Sequence, residues 1–289
     1  MAASDRLKRI EGLMEEAEAA MRRNHWFQAE SHAAKALQTA RQGEEWALMA
    51  RIVLPLQEAR RQRLAPALES RKVTILDQPL PEAIKASKGC VLVQPPLVGA
   101  DARRLRLAAM AQEVSVAVLC REPLTRMRQC PVVAIGAATV RTKLAPPKVW
   151  EKPTMEWFVS AMEELGDAAI QMVDTGVDLD RQIDQVLAYL DAVPDHEKLH
   201  QLLSEMCLRA AKGFERRMPA RIFEDLEDAG GGEGAVAVPK EDGEQDGEGA
   251  GGDAPAPAAE ASDDAPQSGV KSTPAPRGDR RRAGGSRRS

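Results

Sequence analysis

The string best suited to chemistry is His196-Glu197-Lys198-Leu199-His200. Histidines four apart share one face of a helix and could hold Zn²⁺, with Glu197 polarising a metal-bound water. That arrangement would make the chain a metal-dependent hydrolase. A plainer reading is an exposed helix start after Pro194, with acidic groups beside the positive helix end. Lys198 places a charge inside the string. No third ligand is marked, although Glu215, Glu224 and Asp225 are within reach along the chain. The plainer reading is preferred. No catalytic, metal or cofactor-binding residue is therefore assigned, and no cofactor; Glu197 as base with His196 and His200 as ligands stands as the alternative.

A second candidate is the loop Gln94-Pro95-Pro96-Leu97-Val98-Gly99-Ala100, between an apolar run and a helical pattern that Asp101 can cap. Ligands of α/β sheets bind beyond the carboxyl ends of strands, and Arg103 and Arg104 fall in the first helical turn, where anions are attracted. One glycine and two prolines do not make a phosphate loop, and Asp101 would repel a phosphate, so a structural loop is expected. No nucleophile pairs with a base. Cys120 precedes Arg121-Glu122-Pro123 with no histidine nearby, and Cys90, Cys130 and Cys207 add no C-x-x-C spacing. All four cysteines read as reduced and structural. His25 and His32, either side of Trp26, read as turn and surface residues.

The elements that would position these groups form three segments and a tail. Residues 4–70 are helical, with Leu7, Ile10, Met14, Ala17 and Met21 at helical spacing, then Trp26, Ala29, Ala33, Ala36, Leu37 and Ala40 up to Gly43. A third pattern carries Trp46, Met49, Ile52, Val53 and Leu56, and Pro55 inside it predicts a kink or break near Arg51. Residues 72–148 form a small α/β unit. Its β-branched runs lie at 72–76, 90–93, 114–119, 132–135 and 139–141, and a helical stretch at 102–112 makes a βαβ unit with a parallel pair. The near-continuous apolar strands suit a sheet covered on both faces. Residues 153–228 return to helix, with Thr154, Asp178 and Asp195 as candidate caps. The fold class is mixed α+β.

The first two helices resemble a tetratricopeptide hairpin, with small residues at the helix contact (Ala17, Ala29, Ala33, Ala36), Asn24 at the turn and Trp26 just after it. Such a hairpin implies protein binding, with Asn24, Trp26 and Ala29 as tentative partner-contacting residues. The whole arrangement is similar to uncharacterised bacterial proteins that join such a hairpin to further helices, a resemblance that brings no activity with it. The string at 196–200 is likewise similar to the zincin metalloprotease motif, except for Lys198.

Residues 229–289 contain no aromatic residue, Leu or Ile. Such a segment buries too little apolar surface to offset backbone entropy and is expected to be disordered. It holds 8 basic and 11 acidic residues of the chain's 40 and 44, leaving a nearly neutral body of 32 and 33. A neutral body gives no general argument for nucleic acid or membrane binding. Within it, residues 99–148 carry nine basic against three acidic groups, and 149–228 eight against eighteen. Arg280-Arg281-Arg282 and Arg287-Arg288 could bind nucleic acid weakly through counterion release, without base readout. No stretch is apolar enough to span a bilayer, and the N-terminus lacks the apolar core of a signal peptide, so a cytoplasmic protein is expected. The function expected is a non-enzymatic interaction or scaffold role, with the hydrolase and the weak nucleic-acid binder as alternatives. Oligomeric state is not legible.

Overall fold

The computed structural model describes residues 3–216. The tail at 229–289, its expected disorder and its Arg-rich end lie outside the described residues, as do Glu224 and Asp225. Three helices come first: α1 (Ala3–Arg22), α2 (Trp26–Gln42) and α3 (Trp46–Leu68). Alanines let them approach closely, and Ala20, Ala29 and Ala59 form one small shared cluster. The two junctions are built alike. Asn24 and Glu44 both take positive φ, 59° and 54°, and each turn closes with backbone bonds back to Ala20 or Ala40. Asn is tolerated there by its short polar side chain; Glu44 is held by its surroundings.

The break expected at Pro55 does not occur. α3 runs unbroken through Pro55 and Pro66. Ile52, Val53, Leu56 and Ala59 on either side of Pro55 are all buried, and that packing outweighs a lost hydrogen bond and ring clash worth ~3 kcal/mol.

The five strands β1 (Val73–Leu76), β2 (Gly89–Val93), β3 (Val116–Arg121), β4 (Cys130–Ile135) and β5 (Thr139–Leu144) stand in one sheet in sequence order. β1, β2 and β3 are parallel, and β4 and β5 follow antiparallel. α4 (Gly99–Ala111) is the crossover between β2 and β3, as the alternation of patterns predicts. Strand residues alternate between two cores. Val93, Cys120 and Val133 face α4 residues Ala102 and Leu105, while Leu92, Leu119, Val132 and Val140 join the larger core on the opposite face.

That larger core also holds α5 (Met155–Gln171), α6 (Leu179–Ala192) and α7 (Glu197–Ala211) together with α3. α7 lies antiparallel to α3: Gln57 meets Glu197 near one end and Ser204 reaches the Ala50 carbonyl at the other. Thr154 caps α5 by accepting from the Trp157 N–H at 3.2 Å. Two other cap expectations need correcting. Asp101 is not the cap of α4 but its third residue, reaching back to accept from the Val98 N–H at 3.0 Å. Asp195 is displaced as cap of α7 by His196, because Arg63 draws its carboxylate away. Among the described residues no helix is long and apolar enough to cross a membrane.

Candidate functional site

The exposed helix start expected at 196–200 is not what forms. Glu197 is exposed, but His196 and His200 are buried, 4% and 1% exposed. His200 Nδ1 lies 2.9 Å from the His196 carbonyl and its Nε2 lies 3.1 Å from Arg60 Nη1. A carbonyl only accepts and a guanidinium only donates, so the ring is neutral with its proton on Nδ1. Burial first, and Arg60 second, push its pKa down to about 3. The lone pair a zinc ion would need is thus committed to a cation.

His196 faces another way. As the N-cap its ring leaves the helix and lies on α5, where a Cβ on Gly166 would come within 2.1 Å of the imidazole carbons. Nε2 is 3.2 Å from Asp167 and 3.5 Å from Glu163, and Nδ1 has no hydrogen-bond partner among the described residues. Burial lowers its pKa, against the pull of the two carboxylates. Glu197 accepts from Gln57 Nε2 at 2.9 Å. The two imidazoles therefore address different helices, and among the described residues no three His, Cys, Asp or Glu side chains could hold a metal ion.

What the string does join is a buried ionic network that sequence reasoning missed. Glu30, on α2, accepts from Arg60 Nε at 2.9 Å and from Arg63 Nε at 2.6 Å. Arg63 extends to Asp195 at 2.5 Å, and Arg60 to the Pro194 carbonyl at 3.4 Å. Burial alone would push the Glu30 carboxyl up, but Arg60 and Arg63 outweigh it and hold it below its ordinary value. The network ties α2 and α3 to the α6–α7 loop. A signal existed: Arg60 and Arg63 fall on the stripe of buried Leu56, Ala59 and Ala67.

Beside the network a groove of about 1000 Å³ separates α6 from α2 and α3. Its apolar part includes Leu37, Leu56 and Leu187, and its charged part sets Arg41, Arg60 and Arg181 beside Glu44, Asp180, Asp184 and Asp191. Arg41 bridges it, giving Asp184 two bonds at 2.6 and 2.8 Å. At one end the chain leaving α7 crosses over. Phe214 packs edge-on to Trp46 with centroids 6.3 Å apart, and Arg216 donates to Asp180 at 2.9 Å and to Glu44 at 2.6 Å.

The three hairpin residues expected to contact a partner divide. Asn24 is exposed and Trp26 half-buried. Ala29 is fully buried between α1 and α3, so no partner can reach it. At the α4 start Asp101 accepts from the Val98 N–H, Arg104 turns to Asp101 and Arg103 to Asp191. All four cysteines are free and buried. Burial pushes the thiols of Cys120 and Cys207 up to about 12 and Cys130 up to about 11, so none is poised as a nucleophile. Arg121 is wholly buried, its guanidinium 3.6 Å from the Trp150 ring centroid and bonded to the Trp150 carbonyl and Gln94.

No protein-family model, curated protein or solved structure matches the chain.

Proposed function

We propose that this chain is a non-enzymatic interaction protein whose groove between α6 and the α2–α3 pair receives an extended, arginine-bearing segment of a partner protein. The observation that carries this reading is Arg216, an arginine on a non-helical stretch, seated on Glu44 and Asp180 at the groove's end. The groove follows α6 from Asp180 to Asp191, roughly 16 Å at the helical rise and about five extended residues. The apolar floor and the Glu44–Asp180 pair at its end match the two parts of an arginine side chain, an aliphatic stem and a charged fork. The Glu44 half of the Arg216 contact is cheap to displace: the side chains are 30% and 42% exposed, and exposed pairs contribute about 0–1 kcal/mol; Asp180, 11% exposed, holds the other half.

The tetratricopeptide-like reading of α1 and α2 fits this role, supported by their alanine-lined contact and by the like-built turn that follows α2. The hydrolase alternative loses its support where His200 commits its lone pair to Arg60. The nucleic-acid alternative rests on residues outside those described. The test is fluorescence anisotropy of a labelled peptide alternating alanine and arginine against the full chain. Binding should be saturable, weaken on Glu44→Gln with Asp180→Asn, and strengthen about threefold on Arg216→Gln as the competing arginine is removed. Equal binding of a peptide with citrulline for arginine, or indifference to both sets of substitutions, would refute it.

A further inference from the structure

The sheet is thinnest between β3 and β4. β3 and β4 are each six residues long, yet their ladder holds only Cys120–Val133 and Arg121–Val132. One further bond, Glu122 N–H to the Pro131 carbonyl at 2.9 Å, extends it outward. In the other direction the strands part. At the far end of β4, Gly136 is pressed on α6: a Cβ there would come within 2.4 Å of the Ala192 nitrogen. Ala137 N–H adds a 2.7 Å bond to Asp191. The end of β4 is thus held on α6.

A cavity of about 100 Å³ fills the gap, lined by both sheet faces: Val118 and Ile135 from the α4 side, Leu119 and Leu165 from the other. Its polar lining is uneven. Asp195 is taken by Arg63, and His196 lies against Gly166. Glu163 is half exposed at the rim. Arg103 holds Asp191 at 3.4 Å through Nη2, while its Nε is buried and unpartnered. Arg106 is the exception. Its sole described hydrogen bond is a long one, Nη2 to the Ile135 carbonyl at 3.4 Å, and no carboxylate lies within ion-pair distance among the described residues. Burial draws its pKa down, with Asp191 and Asp195 opposing from farther off.

A guanidinium has five N–H donors in a fork that matches a carboxylate. Arg106, partly buried and without an ion pair among the described residues, has donors to spare, and an anion seated in the cavity would supply its counter-charge. The size limits the guest. Apolar cavities near 150 Å³ accept benzene, so about 100 Å³ suits a short chain. We infer that the parted sheet holds a binding site for a small aliphatic monocarboxylate, its head on Arg106 and its three or so carbons among Val118, Leu119, Ile135 and Leu165. Arg103, Val159 and Glu163, each partly exposed, mark its entrance. The site is separate from the α6 groove and does not depend on it.

Isothermal titration calorimetry of the full chain with butyrate tests this, with butyramide as the uncharged isostere and inorganic phosphate as a second anion. Butyrate should bind one to one, about tenfold or more tighter than butyramide, and phosphate should not displace it. Arg106→Gln should reduce butyrate affinity about tenfold or more and leave butyramide unchanged. No butyrate binding, equal binding of butyramide, or displacement by phosphate would each overturn the proposal. The first two comparisons need only the natural chain, so they decide even if Arg106→Gln fails to fold.

Discussion

Lowering the pH from 6.5 to 4.5 should cost this protein about 2.3 kcal/mol through His200 alone. The folded-state pKa is about 3, against 6.5 for an ordinary histidine. Above 6.5 the ring is neutral in both states and stability is flat. Below 6.5 the unfolded chain takes up a proton that the folded chain refuses, because a charged ring would be buried with its Nε2–H against Arg60. Stability therefore falls with falling pH, by about 1.4 kcal/mol per unit, until the folded ring also titrates near pH 3. Two units at that slope, less the half-protonation that the unfolded ring already has at pH 6.5, give the stated loss, a large part of the 5–15 kcal/mol typical of a folded domain. His196, also lowered, acts in the same direction. The window ends at 4.5 because the network's carboxylate Glu30, ordinarily at 4.5 and lowered here, contributes chiefly below that value. The assay is urea unfolding followed by circular dichroism at pH 7.5, 6.5, 5.5 and 4.5, comparing the natural chain with His200→Gln. The glutamine amide can donate to the His196 carbonyl and accept from Arg60 without titrating. The natural chain should lose about 2.3 kcal/mol more than the variant between pH 6.5 and 4.5. Parallel losses would show that His200 is not buried against Arg60, and the network would fall with it.

Gly166→Ala should destabilise by about 1–3 kcal/mol, despite alanine's better helix propensity, because its Cβ meets the His196 ring at 2.1 Å. Adding His196→Ala should recover most of that loss, and additive losses in thermal melts would rule the contact out. Arg63→Met should cost about 3–5 kcal/mol in urea unfolding, since it strips Asp195 and half of Glu30's partners of a buried counter-charge; a cost below about 1 kcal/mol would mean the network is open to water. In the folded chain none of the four thiols should react with a disulfide reagent at pH 8, and all four should in urea. Rapid native labelling of Cys120 or Cys207 would contradict their burial and their pKa near 12.

The secondary structure was largely legible in the sequence because its signals are local. Five β-branched runs became five strands, and the helical period between the second and third became α4. Thr154 became the cap of α5, since a hydroxyl and an N–H three residues on need no distant partner. Pro55 misled because its cost is local while its compensation is not: α2 and α7 hold α3 on both sides. His196 and His200 misled for the same reason. Four-residue spacing says that two side chains share a helix face only if both are in the helix. The residue at the cap leaves that face, as His196 does.

From the chain alone follow the order of helices and strands, the parallel β2–β3 pair and the two-faced cover of the sheet. Periodicity sets which residues must be hidden, and burial of apolar surface does not depend on the identity of the partner. Only the tertiary structure decided which charges meet. Glu30, Arg60, Arg63 and Asp195 span 165 positions along the chain, and nothing local distinguishes them from solvated surface residues. The short ladder between β3 and β4 is equally non-local, since its register and the contact of Gly136 with Ala192 both join segments distant in the chain. Coulombic pairing and strand divergence are properties of distances in space, and those exist once the segments have packed.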